Sequence, residues 1–228
     1  AVVKSGRPLS TKGGVGQHET VTAAIAGNPN SGKTSIFNQL TGMSQSVANY
    51  PGVTVERKAG RAVHEGREIT LVDLPGTYSL TAYSLDELVA RDFVIESRPP
   101  VVVNVVDASN LERNLYLTVQ LMEMRAPLVL VLNMVDMAAR RGLKIDSAKM
   151  ATLLGVPVVE TVGNKGLGLD NLAKAILKKA DHPQADAIRP VSYGHEVEAA
   201  VEKLAAVIAK EAGLTSRYPA NWIAVKLI

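Results

Sequence analysis

The sequence predicts an α/β fold: a mainly parallel sheet with helices on both faces, followed by a partial α-helical domain. Three observations predict it. Short apolar runs such as VTAAIA, VVVNVVDA and PLVLVLNM lack polar alternation, as strands buried on both faces do. Amphipathic segments of helical period lie between them, the interleaving that parallel crossovers need. After DHPQADAIRP the pattern becomes wholly helical.

Each element follows from its local pattern. Residues 1–20, rich in Gly, Ser and Lys, read as a flexible leader. Their KGGVGQH stretch imitates a phosphate loop, but Gln17 and His18 stand where Lys and Ser or Thr are required. VTAAIA is a strand running into the Gly27 loop, and SGKTSIFNQL is a helix. TVERKAGRAVHEG and REITLVD are two β segments around a Glu65-Gly66 turn. LDELVARDFVIE is a helix, VVVNVVDA a buried strand and LERNLYLTVQLMEM a helix. PLVLVLNM is the next strand, DSAKMATLLG a helix, VPVVE the last strand and LDNLAKAILKKA the last helix of this unit. A domain boundary is expected near Asp181, giving an α/β domain over 21–181 and a helical segment over 182–228. VEAAVEKLAAVIAKEAG and YPANWIAVKLI supply its helices, with Trp222 as an anchor, and the pattern reads as cut short at Ile228.

Composition narrows the function classes. With 228 residues and 46% apolar content the chain can bury one sizeable core and an appendage. Lys and Arg number 25 against 22 Asp and Glu, too slight an excess to argue for nucleic acid. The absence of cysteine excludes disulfides and thiolate metal sites. No apolar run reaches the roughly 18–20 residues of a membrane span, so a soluble chain, or the soluble piece of a longer one, is expected. His18, His64, His182 and His195 are widely spaced and read as solvated, and the methionines as core or loop filling. None of them reads as a metal site.

The chemistry lies in the strand-end loops. GNPNSGKT matches G-x-x-x-x-G-K-T between a strand and a helix, so its backbone N–H groups form an anion cradle. The expected contacts run from Gly27 through Asn28, Pro29, Asn30, Ser31, Gly32, Lys33 and Thr34 to Ser35. Lys33 can reach the β- and γ-phosphates, and the Thr34 hydroxyl can ligate Mg²⁺. In DLPG, Asp73 can hold Mg²⁺ through water, Leu74 and Pro75 shape the turn, and the Gly76 N–H can sense a γ-phosphate. Thr54 of GVTV, beside Gly52 and Val53, can close onto Mg²⁺ and γ-phosphate in the triphosphate state. In NMVD, Asp136 can accept two N–H donors of guanine, while Asn133, with Met134 and Val135, contacts the ring and bridges to the phosphate loop. TVGNKG places Val162 and the N–H groups of Gly163 and Asn164 near the guanine carbonyl.

This ordered set implies a P-loop GTPase fold and a domain that binds and hydrolyses GTP. At SVANYPGVTVERKAG, DLPGTYSL and VVDASNLERNLYLTVQL the chain resembles the N-terminal cytosolic G domain of the FeoB family of bacterial ferrous-iron transport proteins. The likeness runs from about Val21 to Ile228 and includes YPANWIAVKL, similar to the start of that family's helical spacer. It implies a membrane permease region of the same polypeptide as partner. It also implies a place on the cytoplasmic face of the bacterial inner membrane, regulation of iron uptake, and a homo-oligomer as one arrangement, with no nucleic acid expected. A different class, the RNA- or ribosome-binding assembly GTPase, shares every nucleotide motif; it predicts a basic RNA-binding module, which residues 183–228 do not resemble.

Thr77 stands where Ras-like enzymes carry a water-orienting Gln. No arginine is placed as an internal finger, and Arg57 reads as solvent-facing, so a slow intrinsic rate is expected. Cation-activated GTPases that resemble this chain carry Asn at the position of Asn30. That resemblance implies a K⁺ site completed by the carbonyls of Ala48 and Tyr50 in a 43–54 loop; the other reading has Asn30 bonding within its loop or to phosphate. The residues expected to act on the transferred phosphate are Asn30, Lys33, Thr54 and Gly76.

Overall fold

A computed structural model describes residues 20–42, 44–183 and 191–228. The 1–20 leader, with KGGVGQH, therefore lies outside the described residues except for Thr20. The chain runs β1 (Val21–Gly27), α1 (Lys33–Thr41), β2 (Gln45–Asn49), β3 (Glu56–His64), β4 (Arg67–Asp73) and α2 (Leu85–Asp92). A π-helical turn (Phe93–Ser97) extends α2 before β5 (Val101–Asp107), α3 (Leu111–Glu123), β6 (Leu128–Asn133), α4 (Val135–Arg140) and α5 (Ser147–Leu154). Then come β7 (Val158–Glu160), α6 (Leu169–Asp181), α7 (His195–Ile208), α8 (Ala212–Thr215) and α9 (Ala220–Leu227).

One seven-stranded sheet has the order β2-β3-β4-β1-β5-β6-β7. The strands from β4 to β7 pair in parallel, and β2-β3-β4 pair antiparallel. The β3-β4 turn is at Glu65 and Gly66, whose φ values of 49° and 77° suit a two-residue hairpin loop. Successive β1 residues face opposite sides: Ala24 and Ala26 join the core under α2 and α3, while Ala23 and Ile25 join that under α1 and α6. Burial on both faces explains the unbroken apolar runs. The chain order builds outward in both directions from β1, so the crevice for a ligand lies beyond the carboxyl ends of β1, β4, β5 and β6.

Helices α7 and α9 pack on each other through Val201, Ala205, Ile208 and Ala224. Trp222 is buried in the larger core instead, so it fastens α9 to the sheet unit. Tyr218 stacks on it at 5.2 Å, and Arg98 donates to the Ser216 carbonyl at 3.1 Å. At the same interface the Glu123 carboxyl is half-buried, and burial pushes its pKa up against the opposing charge of Lys226. A carboxyl raised in the folded state adds stability below its unfolded value, and that contribution is lost as pH rises through the folded value. Glu123→Gln is therefore expected to raise the melting temperature at pH 7, with the gain shrinking as pH falls through the raised folded value and gone below the ordinary 4.5. Thermal melts at several pH values check this.

Three expectations need correction. The 43–54 region is not all loop: Gln45–Asn49 pairs with β3 as an edge strand, with every side chain exposed and the Ser46 hydroxyl adding a 3.4 Å bond to the Ala59 carbonyl. Arg57 does not face solvent freely, since its guanidinium lies 5.8 Å above the Phe93 ring. His64 is mostly covered, with its ring nitrogens 3.7 Å from Glu65 and 3.5 Å from Asp170. In each case a partner distant in sequence, or a backbone ladder without a side-chain pattern, decides the placement.

Candidate functional site

The phosphate loop leaves β1 where the chain has no room for side chains. A Cβ on Gly27 would meet the Val105 carbonyl at 2.5 Å, and one on Gly32 would meet Asn133 Nδ2 at 2.2 Å. Gly32 also has φ of 84°, a conformation that glycine adopts without strain. The loop closes with the Ser31 N–H donating to the Asn28 carbonyl at 3.1 Å, and α1 begins at Lys33. Unpaired N–H groups at that helix start face an adjoining cavity of about 430 Å³. Asn28, Pro29, Asn30, Gly32, Lys33, Thr34, Ser35 and Gly76 line it. Gly27 and Ser31 are buried within the loop.

Lys33 is buried, so its ammonium needs a counter-charge. Asp73 provides it through an ion pair to Oδ1. The DLPG turn is held against the phosphate loop by two bonds: Leu74 N–H to Ile25 O at 2.9 Å, and Thr77 N–H to Gly27 O at 3.2 Å. These bring Gly76 into the cavity lining, while Leu74 packs in the core and Pro75 is half-buried. The Thr77 hydroxyl turns inward, donating to Ser79 O at 2.6 Å and accepting from Ser79 N–H at 3.3 Å.

The structure does not bring Ala48, Tyr50, Gly52, Val53 or Thr54 into this cavity lining. The segment folds back on itself, with Tyr50 N–H on Val55 O at 2.9 Å and Val53 N–H on Tyr50 O at 3.3 Å. Tyr50 is buried edge-on against Phe93, and its hydroxyl donates to the Asp73 carbonyl at 3.0 Å. Burial pushes that phenol well above its ordinary pKa, Arg57 opposing and Asp73 adding, so it stays a donor at all ordinary pH values. Ala48 lies in β2 opposite Arg57, and Thr54 is exposed.

A second cavity, of about 340 Å³, lies beside the first and shares Gly32 and Ser35 with it. Asn133, at the end of β6, builds the wall between them. Its Nδ2 donates to Ser31 O at 2.8 Å, and its Oδ1 accepts from Thr161 Oγ1 at 3.0 Å and Gly163 N–H at 2.8 Å. One amide thus ties three loops together. Met134 takes a left-handed φ of 61°, turning the chain so that Met134 and Asp136 line the cavity with Gly163 and Asn164. Val135 packs against the core, and Val162 is buried, pairing with Leu167. Lys165, which no motif singled out, also lines the cavity and donates to Asp136 Oδ2 at 2.8 Å. That bond, ahead of burial and the nearby positive charges, holds the Asp136 carboxyl below its usual pKa. Arg140, four residues past Asp136, lines the cavity as well, and helical spacing alone could have flagged it.

The donor sets fit two kinds of ion unequally. Thr34 and Asp73 offer a hydroxyl and a carboxylate beside the phosphate cavity, hard oxygen donors of the kind Mg²⁺ takes. For a monovalent cation, Asn30 alone of the expected donors lines the cavity in this conformation.

Known proteins resemble the chain in sequence and in fold. The family described as Ferrous iron transport protein B matches residues 21–176. An Fe(2+) transport protein A/Fe(2+) transporter FeoB fusion protein of Porphyromonas gingivalis is 46% identical over 211 residues, covering 91% of this chain and 25% of that protein. The chain thus spans about a quarter of the length of the curated relatives it matches. The cytosolic domain of the T. maritima FeoB iron transporter in its GDP form II superimposes with a TM-score of 0.85 at 39% identity, covering 91% of this chain and 80% of that one. Its GMPPNP form gives 0.82 at 40% identity, covering 90% and 80%.

Proposed function

Because the chain belongs to the ferrous iron transport protein B family, we propose that it is a GTP-hydrolysing switch that regulates iron uptake through a membrane-spanning region of the same polypeptide. Residues 21–181 form the nucleotide domain and 182–228 the spacer that passes its state on. The assembly sits on the cytoplasmic face of the bacterial inner membrane. No helix among the described residues is long and apolar enough to cross a membrane.

The observation that carries the reading is the pair of adjoining cavities walled by Asn133. One offers N–H groups and Lys33 to phosphates, the other a carboxylate to a base edge. GTP spans both. The Lys33 ammonium leaves Asp73 for the β- and γ-phosphates; Asp73 and Thr34 would hold Mg²⁺, which would supply positive charge against the charge developing on the phosphate oxygens. The Gly76 N–H and Thr54 respond to the γ-phosphate. Thr77, with its hydroxyl engaged by Ser79, does not orient water, so intrinsic hydrolysis is slow. Asn30, with the carbonyls of Ala48 and Tyr50, would hold K⁺, which would supply positive charge beside the phosphates.

Closure of the 43–54 segment requires Tyr50 and its turn to move. With Mg²⁺ and a non-hydrolysable GTP analogue, residues 43–54 and 75–84 are expected to exchange amide hydrogens more slowly than with GDP. Equal exchange in the two states would overturn the switch.

A further inference from the structure

Both oxygens of the Asp136 carboxylate already hold donors from the chain. Oδ1 accepts the Met137 N–H at 3.0 Å, and Oδ2 accepts Lys165 Nζ at 2.8 Å. A guanine edge presents two N–H donors to this same carboxylate. Lys165 and Asp136 line one cavity, so the ammonium on Oδ2 stands in the space the base enters. We propose that Lys165 competes with guanine for Asp136 and thereby shortens the residence of a bound guanine nucleotide. This rests on the guanine reading of the second cavity.

The local structure suits a side chain that swings in and out. Lys165 closes a 3₁₀ turn, Gly163–Lys165, whose backbone is fixed at both ends. Gly163 N–H is bonded to Asn133, Lys165 N–H donates to Val162 O at 2.9 Å, and Gly166 exits at φ 69°. The anchor is rigid, while the four-carbon stem is flexible and its ammonium is well hydrated when released. The side chains are 50% exposed for Lys165 and 28% for Asp136, so the pair is weak and yields to an entering base. A deeply buried pair would lock the site, and an absent one would leave the carboxylate to guanine alone. Arg140 adds positive charge toward Asp136. It lines the same cavity, and it softens the effect of losing Lys165.

The test is displacement of methylanthraniloyl-GDP followed by stopped-flow fluorescence. Lys165→Met keeps length and removes charge; it is expected to slow release and tighten the Kd by about two- to fivefold, the range of an exposed ion pair. Lys165→Arg is expected to release as fast as the unaltered chain. The difference for Lys165→Met should shrink between about 0.1 M and about 1 M salt, as the Debye length falls from about 10 Å to about 3 Å. In an Asp136→Asn background, Lys165→Met should leave xanthosine diphosphate release unchanged, because the carboxylate it competes for is gone. Unchanged or faster GDP release from Lys165→Met would overturn the competition, as would Lys165→Arg behaving like Lys165→Met. Failure of the unaltered chain to bind methylanthraniloyl-GDP would instead overturn the guanine reading beneath it.

Discussion

Asp136→Asn is expected to lower GTP affinity by about 10²- to 10⁴-fold and to create affinity for xanthosine triphosphate. Guanine offers two N–H donors side by side, and a carboxylate accepts both. An amide keeps one acceptor and turns a donor toward the other N–H, so two charge-assisted bonds of about 1.5–3 kcal/mol each are lost. Xanthine carries a carbonyl where guanine carries its amino group, which meets the new donor. Asp136 is partly exposed and its ion pair with Lys165 is a surface one, so the fold should tolerate the change. The bridge from Asn133 to Ser31 and Gly163 does not involve Asp136. Isothermal titration with GTP and xanthosine triphosphate measures both sides. Unchanged GTP affinity would remove Asp136 from base recognition.

Asn30→Ala is expected to abolish a difference between K⁺ and Na⁺ in the rate of GTP hydrolysis. The unaltered chain should be about tenfold or more faster in K⁺, up to the roughly 10²–10³ that one preorganised charge-stabilising contact contributes. The structure narrows the other sources of that charge. Thr77 is hydrogen-bonded to Ser79, and Arg57 lies over Phe93. Asn30 instead lines the phosphate cavity. Its φ of 66° suits Asn better than Ala, so the substitution also strains the loop. Asn30→Gly separates the effects, because it keeps the backbone and lacks the amide. Both variants should hydrolyse GTP equally in the two salts. Equal rates in K⁺ and Na⁺ for the unaltered chain would contradict the role.

Much of this site was legible because phosphate and guanine impose residue types at fixed places. Gly32 has to be glycine at a φ of 84°, and Lys33 has to be cationic beside phosphate; both requirements are local to the loop. The buried strands were legible for the same reason, since two covered faces require unbroken apolar runs. What could not be read depends on partners far along the chain. Lys165 meets Asp136 across 29 residues, and Tyr50 reaches the Asp73 carbonyl across 23. β2 shows no alternation because no side chain of it is buried, so only its backbone pairing with β3 makes it a strand. The inward turn of the Thr77 hydroxyl is likewise set by its loop and not by residue type.

The most direct test of the whole account is phosphate release from GTP by the unaltered chain with Mg²⁺ and K⁺, beside ATP and a Lys33→Ala control. The account predicts slow release from GTP, none from ATP, and none from either with Lys33→Ala. GTP held by the chain and left uncleaved at the rate of the Lys33→Ala control would contradict it.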